Sequence, residues 1–335
     1  MRVSGCDFSI VENNTLDLIT IATGTQTGIL AAGGTGTSAY SLIVKGNTIS
    51  RYWANVTGTT ATTIQGINVT GDNIVVVNNK VSNMRGIATA TTTLMSTSPV
   101  WGINYGSGTG TKIYNNTVNM YGAPMNTSTT NCYSGAALNV SAFATGQDIR
   151  NNILINKMQH NAGATTAAVG RFAAIFHTSE STTSPNNAII NNNYYGITQT
   201  GLQHFVHVAG TGTTGTTRTL AQFTTQSRLW TGANATNNGS SATGAPLTFT
   251  ADNNLTFASV PAAIENLGAD LNANVLGFTI DSRGITRSST PDLGAEEYPG
   301  SADAAAPTFT GTTLADHTGG PDRTVTVTIS DAASK

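Results

Sequence analysis

The chain has 335 residues and a formal net charge of −2, and only 10% of its residues are charged. In an average globular protein about a quarter of the residues are charged. This composition argues against a nucleic-acid-binding protein, because such a protein presents a strongly basic face. No apolar stretch approaches the roughly 18 residues of a membrane-spanning helix, so we also expect no insertion into a membrane.

A short pattern built around an asparagine, usually one of a pair, recurs through the first two-thirds of the chain at intervals of 32 to 40 residues. A β-branched residue stands three positions before the second asparagine, and an apolar residue stands two positions after it. Self-similarity at one approximate period, with loops of variable length between repeats, is the signature of a solenoid. The predicted corner positions are Asn14, Asn47, Asn79, Asn116, Asn152 and Asn192.

The asparagines also indicate how the coils stack. A buried amide costs free energy unless its donors and acceptor are satisfied. If equivalent corners stack about 4.8 Å apart, each amide can donate to the amide oxygen of the next coil and form an asparagine ladder. The sequence therefore predicts an all-β, parallel β-solenoid with long Gly/Thr/Ser-rich loops. A second apolar signal, every 35 to 38 residues, predicts another strand in each coil at Ile29, Ile67, Ile103, Leu138 and Ile175.

The repeat weakens after Asn192, and the chain divides into three predicted parts. Residues 1–217 are predicted to form the coils. Residues 218–300 are predicted to hold the last coils, with Asn253-Asn254 as a degenerate corner, and a cap over the open end. Residues 301–335 include Thr324–Ile329, which alternates with period two like a half-buried strand. This part is too short for a complete β-sandwich, so we expect further domains in a longer parent chain.

The repeated corners resemble those of the right-handed parallel β-helix proteins of the pectate-lyase-like superfamily. The stretches Asp281–Gly284 and Pro291–Tyr298 are similar to the D-x-x-G…R…P-D-[IL]-G-A-x-E-[YF] ending of large exported bacterial members. Residues 306–331 look like the start of an Ig-like module. The resemblance implies a right-handed β-helix with a C-terminal cap and a secreted or cell-surface location, often reached by type IX secretion. It does not indicate one activity, because this fold hosts many functions.

Charge is distributed unevenly along the chain. Between Leu18 and Ala251 ten Lys and Arg residues accompany three carboxylates, so the predicted coils have a net charge of about +7. Positive potential along a rod attracts acidic polymers. If the corners stack, basic and aromatic residues that follow them form a stripe suited to uronate sugars. The predicted ligand-binding residues are Arg51, Tyr52, Trp53, Arg85, Tyr121, Lys157 and Tyr195.

No catalytic residue is predicted. A glycoside hydrolase needs two carboxylates about 5–9.5 Å apart, and a calcium-assisted lyase needs a carboxylate cluster. The coils have three carboxylates, at unrelated positions of the repeat: Asp72, Asp148 and Glu180. His177 with Glu180, and His204 with His207, are three residues apart and would point to opposite faces of a strand. We therefore predict no metal site and no cofactor.

These observations predict a structural and binding module, a stalk or adhesin segment of a secreted or cell-surface protein. Its predicted partner is an acidic glycan or another cell-surface polymer. The alternative is a polysaccharide lyase or glycoside hydrolase that acts on one flank of the solenoid. A weaker alternative is recognition of ice or a mineral surface, which requires threonines in register on strands.

Overall fold

A computed structural model of the chain describes residues 1–6, 9–21, 24–33, 41–54, 63–89, 99–141, 144–164, 170–178, 187–197, 203–210, 215–230, 232–251, 254–271, 279–298, 308–310 and 328–330. These residues belong to two compact units, Met1–Tyr298 and Pro299–Lys335. The first unit is a parallel β-solenoid, which confirms the predicted fold class.

The strands of the first unit are short and follow one another with turns or loops between them. The first eleven are β1 (Arg2–Cys6), β2 (Ser9–Glu12), β3 (Thr15–Ile21), β4 (Gln26–Gly33), β5 (Leu42–Lys45), β6 (Thr48–Ala54), β7 (Ile64–Thr70), β8 (Ile74–Val77), β9 (Lys80–Arg85), β10 (Val100–Thr109) and β11 (Lys112–Tyr114). The next eleven are β12 (Thr117–Gly122), β13 (Gly135–Val140), β14 (Ala144–Thr145), β15 (Asp148–Arg150), β16 (Ile153–Met158), β17 (Phe172–His177), β18 (Ile189–Asn191), β19 (Tyr194–Ile197), β20 (His204–Ala209), β21 (Thr216–Arg218) and β22 (Ala242–Gly244). One helix, α1 (Leu220–Ser227), follows β21.

Each turn of the solenoid contributes one strand to each of three parallel sheets. Sheet A has the order β1-β4-β7-β10-β13-β17-β20, with β14 beside β10 and the antiparallel β21 at its end. Sheet B has the order β2-β5-β8-β11-β15-β18, and sheet C has the order β3-β6-β9-β12-β16-β19-β22. The asparagine corners join sheet B to sheet C.

The interior is filled by columns of apolar side chains in register. The β-branched residues before the corners stack in sheet B as Val11, Val44, Val76, Ile113, Ile149 and Ile190. The residues after the corners stack in sheet C as Leu16, Ile49, Val81, Val118, Leu154 and Tyr195. The second predicted signal stacks in sheet A as Ile29, Ile67, Ile103, Leu138 and Ile175. The sequence pattern therefore predicts three inward-facing columns correctly.

The asparagine ladder is present in the interior of the corner. Asn116 shows its geometry: its Nδ2 donates to Asn152 Oδ1 at 3.0 Å and to the carbonyl oxygens of Val76 and Tyr114 at 2.9 and 3.0 Å. Its Oδ1 accepts from the backbone N and the Nδ2 of Asn79, both at 3.0 Å. Asn47, Asn79 and Asn152 repeat these contacts, and the half-buried Asn14 forms the first rung.

The predicted sixth rung, Asn192, is wrong by one residue. Asn193 occupies the column, because its Oδ1 accepts from the backbone N and the Nδ2 of Asn152, both at 3.0 Å. Three asparagines stand in a row at this corner, so the spacing alone allows two registers. Ile190 and Tyr195, rather than Ile189 and Tyr194, are the matching apolar residues.

The C-terminal end of the solenoid is closed by residues 215–230 and 232–241. The ladder stops at Ser241, whose hydroxyl accepts from the backbone N of Asn193 at 3.1 Å. Helix α1 starts with a capping box between Thr219 and Gln222 and places Phe223 in the core. Asn254 lies outside the ladder, and Asn253 lies outside the described residues.

The described residues between 246 and 298 (246–251, 254–271 and 279–298), here called the C-terminal strap, pack along the outside of the solenoid. Phe249, Leu255, Phe257, Ile264 and Leu293 lie against the outward side chains of sheet C, which are Ile153, Ile155 and Tyr194. Leu271 packs on Val75, Val77 and Tyr114 of sheet B in the same way. The strap therefore covers the outer side of the asparagine corner, along two sheets.

At four corners the first of the two adjacent corner asparagines holds the strap. These residues have positive φ, from 50° to 60°, a conformation that asparagine tolerates better than most residues. Asn151 exchanges two hydrogen bonds with Ala269, from Nδ2 to the carbonyl oxygen at 2.8 Å and from the backbone N to Oδ1 at 2.9 Å. Similar donations from Nδ2 reach the strap carbonyls of Ile280, Asp292 and Leu267, from Asn78, Asn115 and Asn192 respectively.

The charged residues of the resemblance motif organise the strap itself. Asp281 accepts from the backbone N of Arg283, Ile285 and Glu297 at 2.7 to 2.8 Å. Asp292 and Glu297 accept further backbone N–H groups. The buried Arg287 donates to Asn78 Oδ1 at 2.8 Å and to Glu297 at 3.3 Å, so the motif joins strap to solenoid.

The second unit is described at two strands only. They are β23 (Thr308–Thr310) and β24 (Thr328–Ser330), which pair antiparallel. Most of the predicted strand Thr324–Ile329 lies outside the described residues. The Ig-like module therefore stays a prediction.

We expect Asn116→Ala to lower the free energy of unfolding by about 3 kcal/mol or more, because each buried group left without a partner costs about 1–3 kcal/mol. The matched control is Asn14→Ala at the half-exposed first rung, where we expect about 1 kcal/mol. Urea unfolding of both variants beside the unmodified chain measures the difference. Equal losses at the two positions would show that the ladder does not stabilise the interior.

Asn151→Gly tests the attachment of the strap without straining the backbone, because glycine accepts positive φ. Loss of two hydrogen bonds should speed amide hydrogen exchange in residues 264–271 roughly tenfold. Asn13→Gly is the control, since Asn13 has the same backbone conformation at the first corner, which the described strap residues do not reach by hydrogen bonds. The same exchange rate in both variants would contradict the role of Asn151.

Candidate functional site

The outer face of sheet C has a second column of side chains, farther from the corner than the strap contacts. Its members are Thr20, Trp53, Arg85, Tyr121 and Lys157, and the last four are all half-buried. Trp53 pairs in register with Thr20 on one side and with Arg85 on the other. Tyr121 pairs with Lys157. Four of the seven predicted ligand-binding residues therefore lie on one face.

Arg85 lies opposite Tyr121 because β9 has one residue more than β12 between the ladder asparagine and this column. Ser82 is level with Asn119 of β12, and Asn83 follows with a φ of 51°. This left-handed residue makes a bulge, which places Arg85 opposite Tyr121. Arg85 Nε also donates to the carbonyl oxygen of Ala123 at 2.9 Å, just beyond the end of β12. Trp53, Arg85, Tyr121 and Lys157 thus occupy consecutive rungs and are here called the outer column.

Aromatic and cationic groups alternate along the outer column and contact one another. The guanidinium carbon of Arg85 is 5.8 Å from the centre of the Trp53 ring, and Lys157 Nζ is 5.1 Å from the centre of the Tyr121 ring. Both distances fall within the range of cation–π attraction. Trp53 Nε1 donates to the carbonyl oxygen of Asn83 at 3.1 Å, which fixes the plane of its ring. The column is therefore a preformed surface of two ring-and-cation pairs.

Arg51 lies beside the outer column but its charge is balanced. Its guanidinium forms an ion pair with Asp17 of the preceding coil, with Nε 2.8 Å from Oδ1. The Arg51 hydrogen bond is the main reason why the pKa of Asp17 falls to about 2, and the Ser50 hydroxyl helps. The pKa of Arg51 is raised by the same bond. The Asp17 carboxylate therefore offsets the charge of Arg51 at this position.

Two predicted members of the stripe, Tyr52 and Tyr195, point into the core. Tyr52 is 5% exposed and Tyr195 is fully buried. Burial raises the pKa of both hydroxyls, and Tyr195 donates to Asn238 Oδ1 at 2.9 Å inside the closed end. The sequence prediction is wrong for these two because neighbouring residues of a strand point to opposite faces. Trp53 faces outward, so Tyr52 faces inward.

Of the three carboxylates singled out in the coils, the two that the structure describes, Asp72 and Asp148, do not converge. Asp72 Oδ1 accepts from the backbone N of Thr109 at 2.7 Å in a turn. Both oxygens of Asp148 bind Arg150 at 2.6 Å, and Tyr114 donates its hydroxyl to the same carboxylate on the outer face of sheet B. Glu180 lies outside the described residues. Within the described ranges, no group of three or more His, Cys, Asp or Glu side chains is arranged to hold a metal ion.

Sequence reasoning missed a buried histidine pair. His177 Nδ1 and His207 Nε2 are 2.9 Å apart, although the sequence pairs considered were His177 with Glu180 and His204 with His207. The two residues are 30 positions apart, close to one repeat, and both follow the inward alternation of sheet A. That period is the signal that could have found them. His204 does not pair with His207. Its Nε2 lies 2.8 Å from the carbonyl oxygen of Met158.

A cavity of about 220 Å³ lies at the closed end of the solenoid. Its lining includes the apolar residues Phe205 and Leu220, and its polar members are His204, Arg218, Thr219 and Thr243. Among the described residues, no helix is long and apolar enough to cross a membrane.

Comparison of the chain with protein-family models, with curated proteins and with solved structures gives no match.

We expect Arg51→Gln to raise the pKa of Asp17 from about 2 toward its ordinary value of 3.8, by at least one unit. The physical reason is loss of the charge-assisted hydrogen bond that favours the ionised carboxylate. Titration of the Asp17 carboxyl carbon by NMR measures the change, and Lys45→Gln, which removes a cation paired with Glu12 instead, is the control. An unchanged Asp17 pKa in Arg51→Gln would show that the ion pair does not form.

Proposed function

We propose that Met1–Tyr298 is a rigid structural and binding module that contacts an acidic glycan through the outer column. The observation that carries this proposal is the alternation of Trp53, Arg85, Tyr121 and Lys157 on consecutive rungs. Aromatic faces pack against sugar rings, and cations between them attract carboxylate groups.

The spacing of the outer column suits a polymer that lies across the strands. Neighbouring strands are about 4.8 Å apart, which is close to the length of one sugar ring in an extended polysaccharide. Successive rungs would then contact successive sugars. An aromatic ring would pack under one sugar, and a cation would lie beside the carboxylate of the next. A polymer with a uronate at every second sugar would match the column best.

The charge of the coils supports an acidic partner. The excess of cations between Leu18 and Ala251 gives this part of the chain a net charge of about +7. Such a potential attracts anions over about one Debye length, roughly 8–10 Å at physiological salt. Binding should therefore weaken as the salt concentration rises.

We propose that the role of this module is non-catalytic. The carboxylates that could have served a hydrolase are engaged elsewhere: Asp148 binds Arg150 and Tyr114, and Asp281, Asp292 and Glu297 bind backbone amides of the strap. We place the module, as a stalk or adhesin segment, in a secreted or cell-surface protein. The resemblance to exported pectate-lyase-like proteins with an Ig-like module after the solenoid motivates this location.

Glycan binding is tested by calorimetry with oligosaccharides of alternating uronate and neutral sugars, beside uncharged analogues of equal length. We expect Trp53→Ala and Lys157→Ala each to weaken uronate binding roughly three- to tenfold, since such contacts contribute about 0.5–1.5 kcal/mol. The unmodified chain should bind the uncharged analogues more weakly.

Lys45→Ala is the matched control, because Lys45 lies on sheet B and pairs with Glu12, away from the outer column. It should bind like the unmodified chain. Equal affinity of the Trp53 and Lys157 variants and the control would refute the outer column as the site. Release of shortened or unsaturated oligosaccharides in the same mixtures would instead support the alternative, a lyase or hydrolase.

A further inference from the structure

The buried histidine pair belongs to a polar chain that crosses the closed end of the solenoid. His177 is 1% exposed and His207 is fully buried. Arg218 of β21 approaches His207 Nδ1 at 3.2 Å, and Gln147 approaches His177 Nε2 at 3.4 Å. The apolar walls are Phe223 of α1, stacked on His207 at 4.1 Å, and Trp230, 5.2 Å from His177 between ring centres.

The direction of every hydrogen bond in this chain follows from Arg218. A guanidinium only donates, so His207 Nδ1 must accept and its proton must sit on Nε2. His207 Nε2 then donates to His177 Nδ1, which leaves the His177 proton on Nε2. Rotation of the Gln147 amide by half a turn brings its Oε1, otherwise a buried oxygen without a partner, to accept that proton.

Neither imidazole can take up a second proton without breaking this chain. Protonation of His207 would place an N–H against the Arg218 guanidinium, and protonation of His177 would place an N–H against that of His207. Among the described residues, the titratable or charged groups that act on the pair are the two imidazoles themselves and Arg218. No described carboxylate faces them. Burial and Arg218 accordingly lower the pKa of both histidines, that of His177 to about 3.

We propose that β21, α1 and Trp230 form an acid-sensitive closure of the C-terminal end, opened by proton uptake on His177 and His207. The closed form excludes protons and the open form accepts them, so acid shifts the equilibrium toward opening. Below the ordinary histidine pKa of about 6.5, each exposed imidazole raises the opening constant up to tenfold per pH unit. Two imidazoles raise it up to about 100-fold per unit, until the pKa of the closed form is reached. This inference is independent of the proposed glycan binding.

Opening would expose a substantial apolar surface at one end of a rigid rod. Phe223 and Trp230 would leave the core, and the inward faces of β19 and β20 would lose their cover. The strap is anchored to the corner by separate contacts, so the corner can stay intact while the end opens. A neutral medium keeps the module closed, and an acidic one makes its end available for association.

Amide hydrogen exchange of residues 216–230 between pH 7 and pH 4.5, corrected for intrinsic rates, tests the closure. In the unmodified chain, opening should rise up to about 100-fold per pH unit, while exchange in the strand β12 stays slow. His207→Gln, which cannot titrate, should reduce the slope to at most tenfold per unit. His160→Gln is the control, since His160 also has a pKa lowered by burial but packs on Phe172, apart from α1.

A second measurement needs no variant. In nitrogen-15 NMR of the unmodified chain with labelled histidine, both imidazoles should remain neutral at pH 5 in the closed form, with the proton on Nε2. Imidazolium signals for His177 or His207 while residues 216–230 are still protected would overturn the proposal. So would an opening slope that is the same in His207→Gln and in the unmodified chain.

Discussion

The buried asparagine ladder is the interaction on which the rest of this structure depends. A narrow solenoid must turn its backbone sharply between sheets B and C, and the turn leaves carbonyl groups that point into an apolar interior. The two N–H groups of Asn116 Nδ2 are shared among two such carbonyls and the amide oxygen of the next coil, and Asn47, Asn79 and Asn152 repeat this arrangement. Because every amide is held by its neighbours, the corner repeats at strand spacing and fixes the register of all three sheets.

The asparagine pairs are explained by two different demands at adjacent positions. The second member faces inward and completes the ladder, whereas the first adopts positive φ and faces outward. The outward amide is then free to bind backbone, and the strap uses it at four corners, from Asn78 to Asn192. At the corner of Gly46 the backbone also has positive φ, 64°, but no hydrogen bond joins Gly46 to the described strap residues. Glycine therefore suffices there.

The sequence is informative where one coil repeats the next, and less informative where the chain leaves that repeat. The period predicts the inward columns and the ladder, and it fails by one residue at Asn191–Asn193, where three asparagines satisfy the pattern in two ways. The strap contacts join residues up to about 200 positions apart, such as Asn78 and Arg287, and no local pattern records them. The histidine pair is found only when residues one coil apart are compared instead of near neighbours.

The outer column shows how a small backbone feature decides which residues meet. Trp53 and Arg85 follow their ladder asparagines by six positions, whereas Tyr121 and Lys157 follow theirs by five. In regular strands those offsets point to opposite faces. The bulges at Arg51 and Asn83, with φ near 51°, absorb the extra residue in β6 and β9. The side chains beyond each bulge are thereby turned outward, level with those of β12 and β16, whose strands continue without one. A surface of alternating rings and cations thus arises from an irregularity that strand alternation alone does not predict.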